Sequence, residues 1–214
     1  MSKTPVYTLY GLPKTRSVRV AWTLEEIGIP WQFVRVELSA GEHLNDAFKA
    51  ISKTAKIPTL ETPNGMLVES AAIVQYLAEK HALGELIPTL DDPLRGQFLQ
   101  AMSFLVSDLE LPLTNTIKHK FVLPAEKRVP AVLEVCPWEF TNKINDFGAL
   151  LGEQTYLCGE MFTVADIMAG HMLAWARSLG YQEWPQNVVE YRERILSRPA
   201  YERAWRKENG EIQD

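Results

Sequence analysis

Residues 56–70 read KIPTLETPNGMLVES, and this stretch decides the fold. Lys56-Ile57-Pro58-Thr59-Leu60 sets a proline after a β-branched residue, at the mouth of a strand that runs on through Thr59, Leu60 and Glu61. A proline there removes a ladder donor just where pairing begins, which suits a sheet edge or a cis turn. In a cis turn the Ile57 N–H and C=O point outward and can bond the backbone of a bound peptide. Pro63-Asn64-Gly65 then turns the chain, so that residues 59–61 and 66–69 form a hairpin. Glu69-Ser70 opens a helix whose amino end can hold a carboxylate.

Working outward, Val6 to Tyr10 alternates β formers and ends at Gly11 and Pro13, the signature of a strand and a turn. Val18, Ala21, Trp22, Leu24 and Ile27 recur at helical spacing until Gly28, with Pro30 beyond as a stop. Residues 33–36 make a second short strand, 43–51 a short amphipathic helix, and 71–81 a longer one. The order is βαβαββα, a small α/β layer fold of thioredoxin type. After Pro88 the strand signal ends, and helical patterns follow over 94–117, 130–151, 163–179, 187–196 and 200–207. The chain therefore reads as an α/β domain over 1–82, a linker over 83–92 containing Gly84, Pro88 and Asp91-Asp92, and an all-α domain over 93–214.

Composition narrows the function. The longest apolar runs span only a few residues and the amino end leads directly into a strand pattern, which implies no membrane span, no signal peptide and a cytosolic location. The net charge of −5 over 214 residues disfavours a nucleic acid or an anionic membrane as partner. Residues 1–82 carry 9 Lys and Arg against 8 Asp and Glu, whereas 83–214 carry 13 against 19, so an anionic small ligand suits the first part better. Cys136 and Cys158 have no metal-ligand or CxxC spacing; they read as reduced, structural thiols, and no metal is expected.

Three further segments carry candidate chemistry. Phe162 to Ile167 is a capping box with a staple: Thr163 at the cap, Asp166 reaching back, and Phe162 against Ile167. It has a complete structural explanation. In Lys14-Thr15-Arg16-Ser17-Val18-Arg19, two hydroxyls lie where a helix begins; either Thr15 or Ser17 serves as an ordinary cap, or the segment holds a thiolate. A hydroxyl donor beside a positive helix end stabilises RS⁻ over RSH, and lowering a thiol by about two pKa units corresponds to about 2.7 kcal/mol. Tyr10 can supply the same donor. His43 and Lys56, each solvated when taken singly, can pair with a carboxylate at the far end of a short peptide held at Ile57.

With these residues assembled, the chain resembles the cytosolic glutathione transferases, and within them the theta-like and related bacterial groups. The resemblance rests on Leu9-Tyr10-Gly11, Leu24-Glu25-Glu26-Ile27-Gly28, Gly41-Glu42-His43-Leu44, Lys56-Ile57-Pro58-Thr59-Leu60, Glu69-Ser70 and the Phe162–Ile167 box. It implies that Ile57 bonds the cysteinyl backbone of glutathione, that Pro58 holds the cis turn, that Glu69 and Ser70 hold the γ-glutamyl end, and that His43 and Lys56 hold the glycyl carboxylate. Thr15 would activate the thiol, with Ser17 and Tyr10 as alternatives. Phe104, Leu111, Met172 and Trp175 would line a pocket for a small hydrophobic electrophile, and the protein would be a homodimer. Relatives of this type carry Ser or Cys where Thr15 stands, and Asn-Pro where this chain has Ser52-Lys53. The implied activity is conjugation of glutathione to an apolar electrophile. The alternatives are glutathione-dependent disulfide or peroxide reduction, or a related binding module without turnover.

Overall fold

The computed structural model describes residues 7–212. The chain divides into two compact units, one running to Ile87 and resuming at Leu196, the other spanning Pro88–Ile195. The break at Ile87–Pro88 lies inside residues 83–92. The segment from Leu196 onward, assigned to the helical domain from its sequence, belongs instead to the first unit.

In that unit the elements are β1 (Tyr7–Gly11), α1 (Ser17–Ile27), β2 (Trp31–Arg35), α2 (Asp46–Ile51), β3 (Thr59–Thr62), β4 (Gly65–Val68) and α3 (Ser70–His81). Val6, expected to open the first strand, lies outside the described residues. The sheet order is β2-β1-β3-β4. β1 and β2 are parallel, and β3 runs antiparallel to both β1 and β4. Pro58 therefore precedes a central strand, not an edge, and the Ile57–Pro58 bond is cis. The expected helix over 43–51 is divided into a 3₁₀ turn, Glu42–Leu44, and α2. Asn45 starts the second piece by accepting a hydrogen bond from the Phe48 N–H at 2.7 Å, as an N-cap.

Every residue of α1 from Ser17 to Leu24 is buried, polar ones included, because a second helix covers the face that the sheet leaves open. That helix is α9 (Pro199–Glu208), the final element of the chain. Its Ala200 and Ala204 are buried, and small side chains let two helix backbones approach closely. Two ion pairs fix its register: Arg198 straddles Glu26 at 2.6 and 2.8 Å, and Arg203 meets Glu25 at 2.8 Å. The same carboxylates accept from the Trp22 and Trp31 indoles, each at 2.9 Å. Burying Val20 and Leu24 contributes about 1.5–3 kcal/mol each, which outweighs partly exposed ion pairs of at most about 1 kcal/mol. The pairs specify position, and the apolar contact supplies the stability. Gly28 ends α1 at φ +74°, where a side chain would be strained.

The elements of the second unit are helices: α4 (Arg95–Phe104), α5 (Glu110–Ile117), α6 (Pro130–Leu151), α7 (Val164–Ser178) and α8 (Gln186–Leu196). One helix was expected over 94–117. Instead π-helical turns at Leu105–Leu109 and Lys118–Val122 flank α5. Pro112 within α5 has no N–H to give a normal helical bond, and the widened turn before it accommodates the missing donor. Among the described residues no helix is long and apolar enough to cross a membrane.

Asp166 organises this unit. It accepts from the N–H groups of Leu157 and Thr163 at 2.9 and 2.8 Å, the Thr163 hydroxyl at 3.2 Å and the Tyr191 hydroxyl at 2.7 Å. Burial raises its carboxyl above the usual range, and the four donors oppose that rise. The capping box is therefore extended to a preceding loop and to α8. Asp166→Ala leaves three of these donor groups buried without an acceptor and is expected to cost about 3 kcal/mol or more in urea denaturation. A loss below about 1 kcal/mol would mean that water replaces the carboxylate.

Candidate functional site

The strand register brings four chain segments to one end of the sheet. Thr59 pairs with Tyr10 on one side and with Val68 on the other. Hence the loop after β1, the Ile57–Pro58 turn before β3 and the Glu69–Ser70 step after β4 all leave the sheet at the same end. The segment after β2 joins them, through the Val36 N–H bonded to the Gly11 carbonyl at 2.8 Å. Residues far apart in sequence thus converge by strand pairing alone.

At this end the Ile57 N–H and C=O form no hydrogen bond among the described residues, which leaves a donor and an acceptor together on one half-buried residue. The turn is held from behind. Ser52, fully buried, donates to the Lys56 carbonyl at 3.1 Å, and the Thr59 hydroxyl donates to it at 2.9 Å. Glu69 adopts φ +68°, a conformation rarely taken by a non-glycine residue, and caps α3 without a side-chain hydrogen bond. The first N–H groups of α3 are left open to an anion. Ser70 is buried, and its hydroxyl accepts from Arg19 Nη1 at 3.1 Å. Lys56 is exposed; His43, in the 3₁₀ turn, is half-buried, and its Nδ1 is shielded and unpartnered.

Neither hydroxyl of the β1–α1 loop is the helix cap, because Arg16 occupies that position and makes no capping bond. Thr15 and Ser17 instead both donate to the Leu12 carbonyl, each at 2.7 Å, and their oxygens lie 3.0 Å apart. Thr15 Oγ1 also accepts from the Ser17 N–H at 3.3 Å. Thr15 is half-buried and Ser17 wholly buried. Tyr10 is turned elsewhere: its hydroxyl donates to Glu61 at 3.3 Å, and burial, followed by that carboxylate, raises its pKa.

Phe104 borders a small void of about 30 Å³ with Phe147 and Leu157, room for about one water. Leu111 is exposed, and Trp175 is half-buried with its ring 5.8 Å from His171. Met172 is fully buried in α7 and packs in the core. Both cysteines are buried and free, and burial pushes the Cys158 thiol up to about 11. Among the described residues no group of three or more His, Cys, Asp or Glu is placed to hold a metal ion.

Two residues of this region are not legible in the sequence. Arg19 stands between Val18 and Val20 in an apolar run, the only signal that its guanidinium is buried. Glu208, amid charged residues at the end of α9, reads as a solvated surface group, yet it is 3% exposed and neither carboxyl oxygen has a hydrogen-bond partner. Burial pushes its carboxyl up to about 8, and the Ser17 hydroxyl alongside opposes the shift.

Comparison with known proteins gives a consistent result. The family model described as the glutathione S-transferase N-terminal domain matches residues 5–79, and that of the C-terminal domain matches residues 139–208. Glutathione S-transferase 3 of Zea mays is 30% identical over 205 residues, which cover 91% of each chain. A glutathione transferase from Pseudomonas putida, solved with one glutathione disulfide per subunit, has a TM-score of 0.80 at 27% identity, covering 95% of this chain and 93% of its own. A homologue from Sulfitobacter with bound glutathione has a TM-score of 0.82 at 24% identity, covering 98% and 100%.

Glu208 makes folding stability depend on pH. Its folded pKa, about 8, is above the ordinary value of 4.5, so between those limits the folded state binds the extra proton. Stability contributed by the neutral group is complete below pH 4.5 and is lost as pH rises to about 8. Melting temperature is therefore expected to fall by several degrees over this window, and Glu208→Gln to flatten that part of the curve. Identical slopes in the two proteins would place the titration elsewhere.

Proposed function

Because the chain belongs to the glutathione S-transferase family, we propose that it is a glutathione transferase, with Thr15 activating the thiol for attack on a small apolar electrophile. The observation that carries this reading is the convergence of the Thr15 hydroxyl, the open Ile57 backbone pair and the Glu69–Ser70 helix end at one end of the sheet. These groups fit a short peptide bearing a carboxylate: Ile57 offers strand-like bonds, α3 offers free N–H groups, and Arg19 fixes the Ser70 hydroxyl. His43 and Lys56 supply hydrogen-bond donors for a second carboxylate. Glutathione bound there supplies the nucleophilic sulfur.

Thr15 is favoured over its two rivals by exposure and charge. Ser17 is sealed from solvent, and the Glu61 carboxylate at the Tyr10 hydroxyl disfavours an anionic sulfur nearby. The Thr15 hydroxyl can turn from the Leu12 carbonyl to the sulfur, because Ser17 continues to serve that carbonyl. A donor to the charged form lowers the thiol pKa and raises the fraction ready to react. Protein cysteines do not offer a mixed-disulfide route, since both are buried. Leu111, Phe104 and Trp175 are the apolar candidates of the second unit for the electrophile. The reading includes a homodimer in the cytosol.

Calorimetry is expected to show glutathione binding; its absence would leave only a binding module for some other ligand. With Thr15→Val, the pH midpoint of the bound thiolate's ultraviolet absorbance should rise by about one unit or more. An unchanged midpoint would transfer the role to Ser17 or Tyr10. Aryl halides and epoxides tested against organic hydroperoxides then separate conjugation from reduction.

A further inference from the structure

Two hydroxyl protons at the β1–α1 loop face three acceptors: the Leu12 carbonyl, the sulfur of the preceding reading, and the Glu208 carboxyl. Glu208 reaches this loop because α9 lies along α1. Gly11 leaves room for Ser17 and Phe33 side by side. A Cβ there would meet Ser17 Cβ at 2.5 Å and the Phe33 ring at 3.2 Å, and Phe33 borders with Glu208 a cleft of about 430 Å³. Both Glu208 oxygens are shielded from solvent and form no hydrogen bond, while the neighbouring Ser17 hydroxyl is directed to Leu12.

We propose that Glu208 is a positioning residue for thiol activation: the charge on its carboxyl decides whether Ser17 or Thr15 must serve the Leu12 carbonyl. This rests on Thr15 as the donor to sulfur. When Glu208 is neutral, Ser17 keeps its bond to Leu12, and the Thr15 proton is free for the sulfur. When Glu208 is ionised it is a buried, unpaired anion, and the Ser17 hydroxyl is the donor at hand. Once Ser17 turns to it, Leu12 retains the Thr15 hydroxyl and a long 3.3 Å bond from the Thr15 N–H. Thr15 can then reach the sulfur only by leaving that carbonyl poorly paired. A carboxylate at Glu208 and a thiolate at the site thus compete for one proton donor.

Other charges around Glu208 are already engaged. On α1, Glu25 and Glu26 hold Arg203 and Arg198, and Arg19 bonds Ser70; Arg16, at the N-cap position, makes no capping bond but has an interaction of its own. On β2, Arg35 pairs with Glu37 at 3.1 Å; on α9 itself, Lys207 lies 4.5 Å from the Trp31 ring centre and Arg206 pairs with Glu211. Phe33, beside Ser17 at Gly11 and beside Glu208 in the cleft, ties the carboxyl to the loop; burial raises the Glu208 carboxyl, and Ser17 opposes the rise.

The test compares glutathione with S-methylglutathione, which has the same charges but no ionisable sulfur, by calorimetry from pH 6 to about pH 9.5. The ratio of the two affinities should level off above pH 8 about tenfold lower in the wild type than in Glu208→Gln. In a Ser17→Ala background, Glu208→Gln should change the ratio less than about twofold, since the relay is gone. Persistence of the full effect there would indicate direct charge repulsion and overturn the relay. A common plateau for wild type and Glu208→Gln would overturn the inference while leaving the transferase reading intact. Failure of both ligands to bind would overturn both. If Glu208→Gln does not fold, loss of the wild-type inflection near pH 8 in Ser17→Ala alone supports the relay, and its retention defeats it.

Discussion

The double pairing of Thr59, to Tyr10 on one side and Val68 on the other, is the constraint on which the candidate site depends. Side chains alternate along a strand, so a slip of one residue would turn Leu60 away from the core, where it is fully buried, and carry Ile57 out of reach of the other segments. Burial of Leu9 and Leu60, which face each other across β1 and β3, therefore fixes the position of polar groups that contribute nothing to the core. The hydrophobic pattern sets the geometry, and the open backbone groups inherit it.

A second principle is the placing of charge where water cannot reach. Arg19 and Asp166 are both buried and both hydrogen-bonded: the Ser70 hydroxyl accepts from Arg19, and four donors converge on Asp166. Glu208 differs, because nothing adjacent satisfies it without taking a proton donor from another bond. In proteins an unsatisfied buried carboxyl is costly, and this one lies in the same compact unit as the β1–α1 loop.

Much of this was visible in sequence, for identifiable reasons. Strand and helix order came from periodicity, the hairpin from Pro63-Asn64-Gly65, and the Thr163–Asp166 box from its spacing, because all of these are set by neighbours along the chain. The edge reading for Pro58 failed because a central strand can also begin at a proline when the turn before it is cis. The ordinary-cap reading of Thr15 and Ser17 failed because both hydroxyls prefer a carbonyl that turns back toward them. Burial of Glu208 was hidden for a different reason. It comes with the packing of α9 on α1, a contact between segments separated by the whole helical unit, and local composition carries no trace of it.

The attachment of α9 to α1 also orders events during synthesis. A ribosome delivers the sheet and its helices first, then the entire helical unit, and only afterwards Arg198 and Arg203. Until then Trp22 has no Tyr201 ring beside it, at the 4.8 Å centroid spacing of the finished fold, and one face of α1 stays wet. The first unit to emerge is thus the last to be sealed.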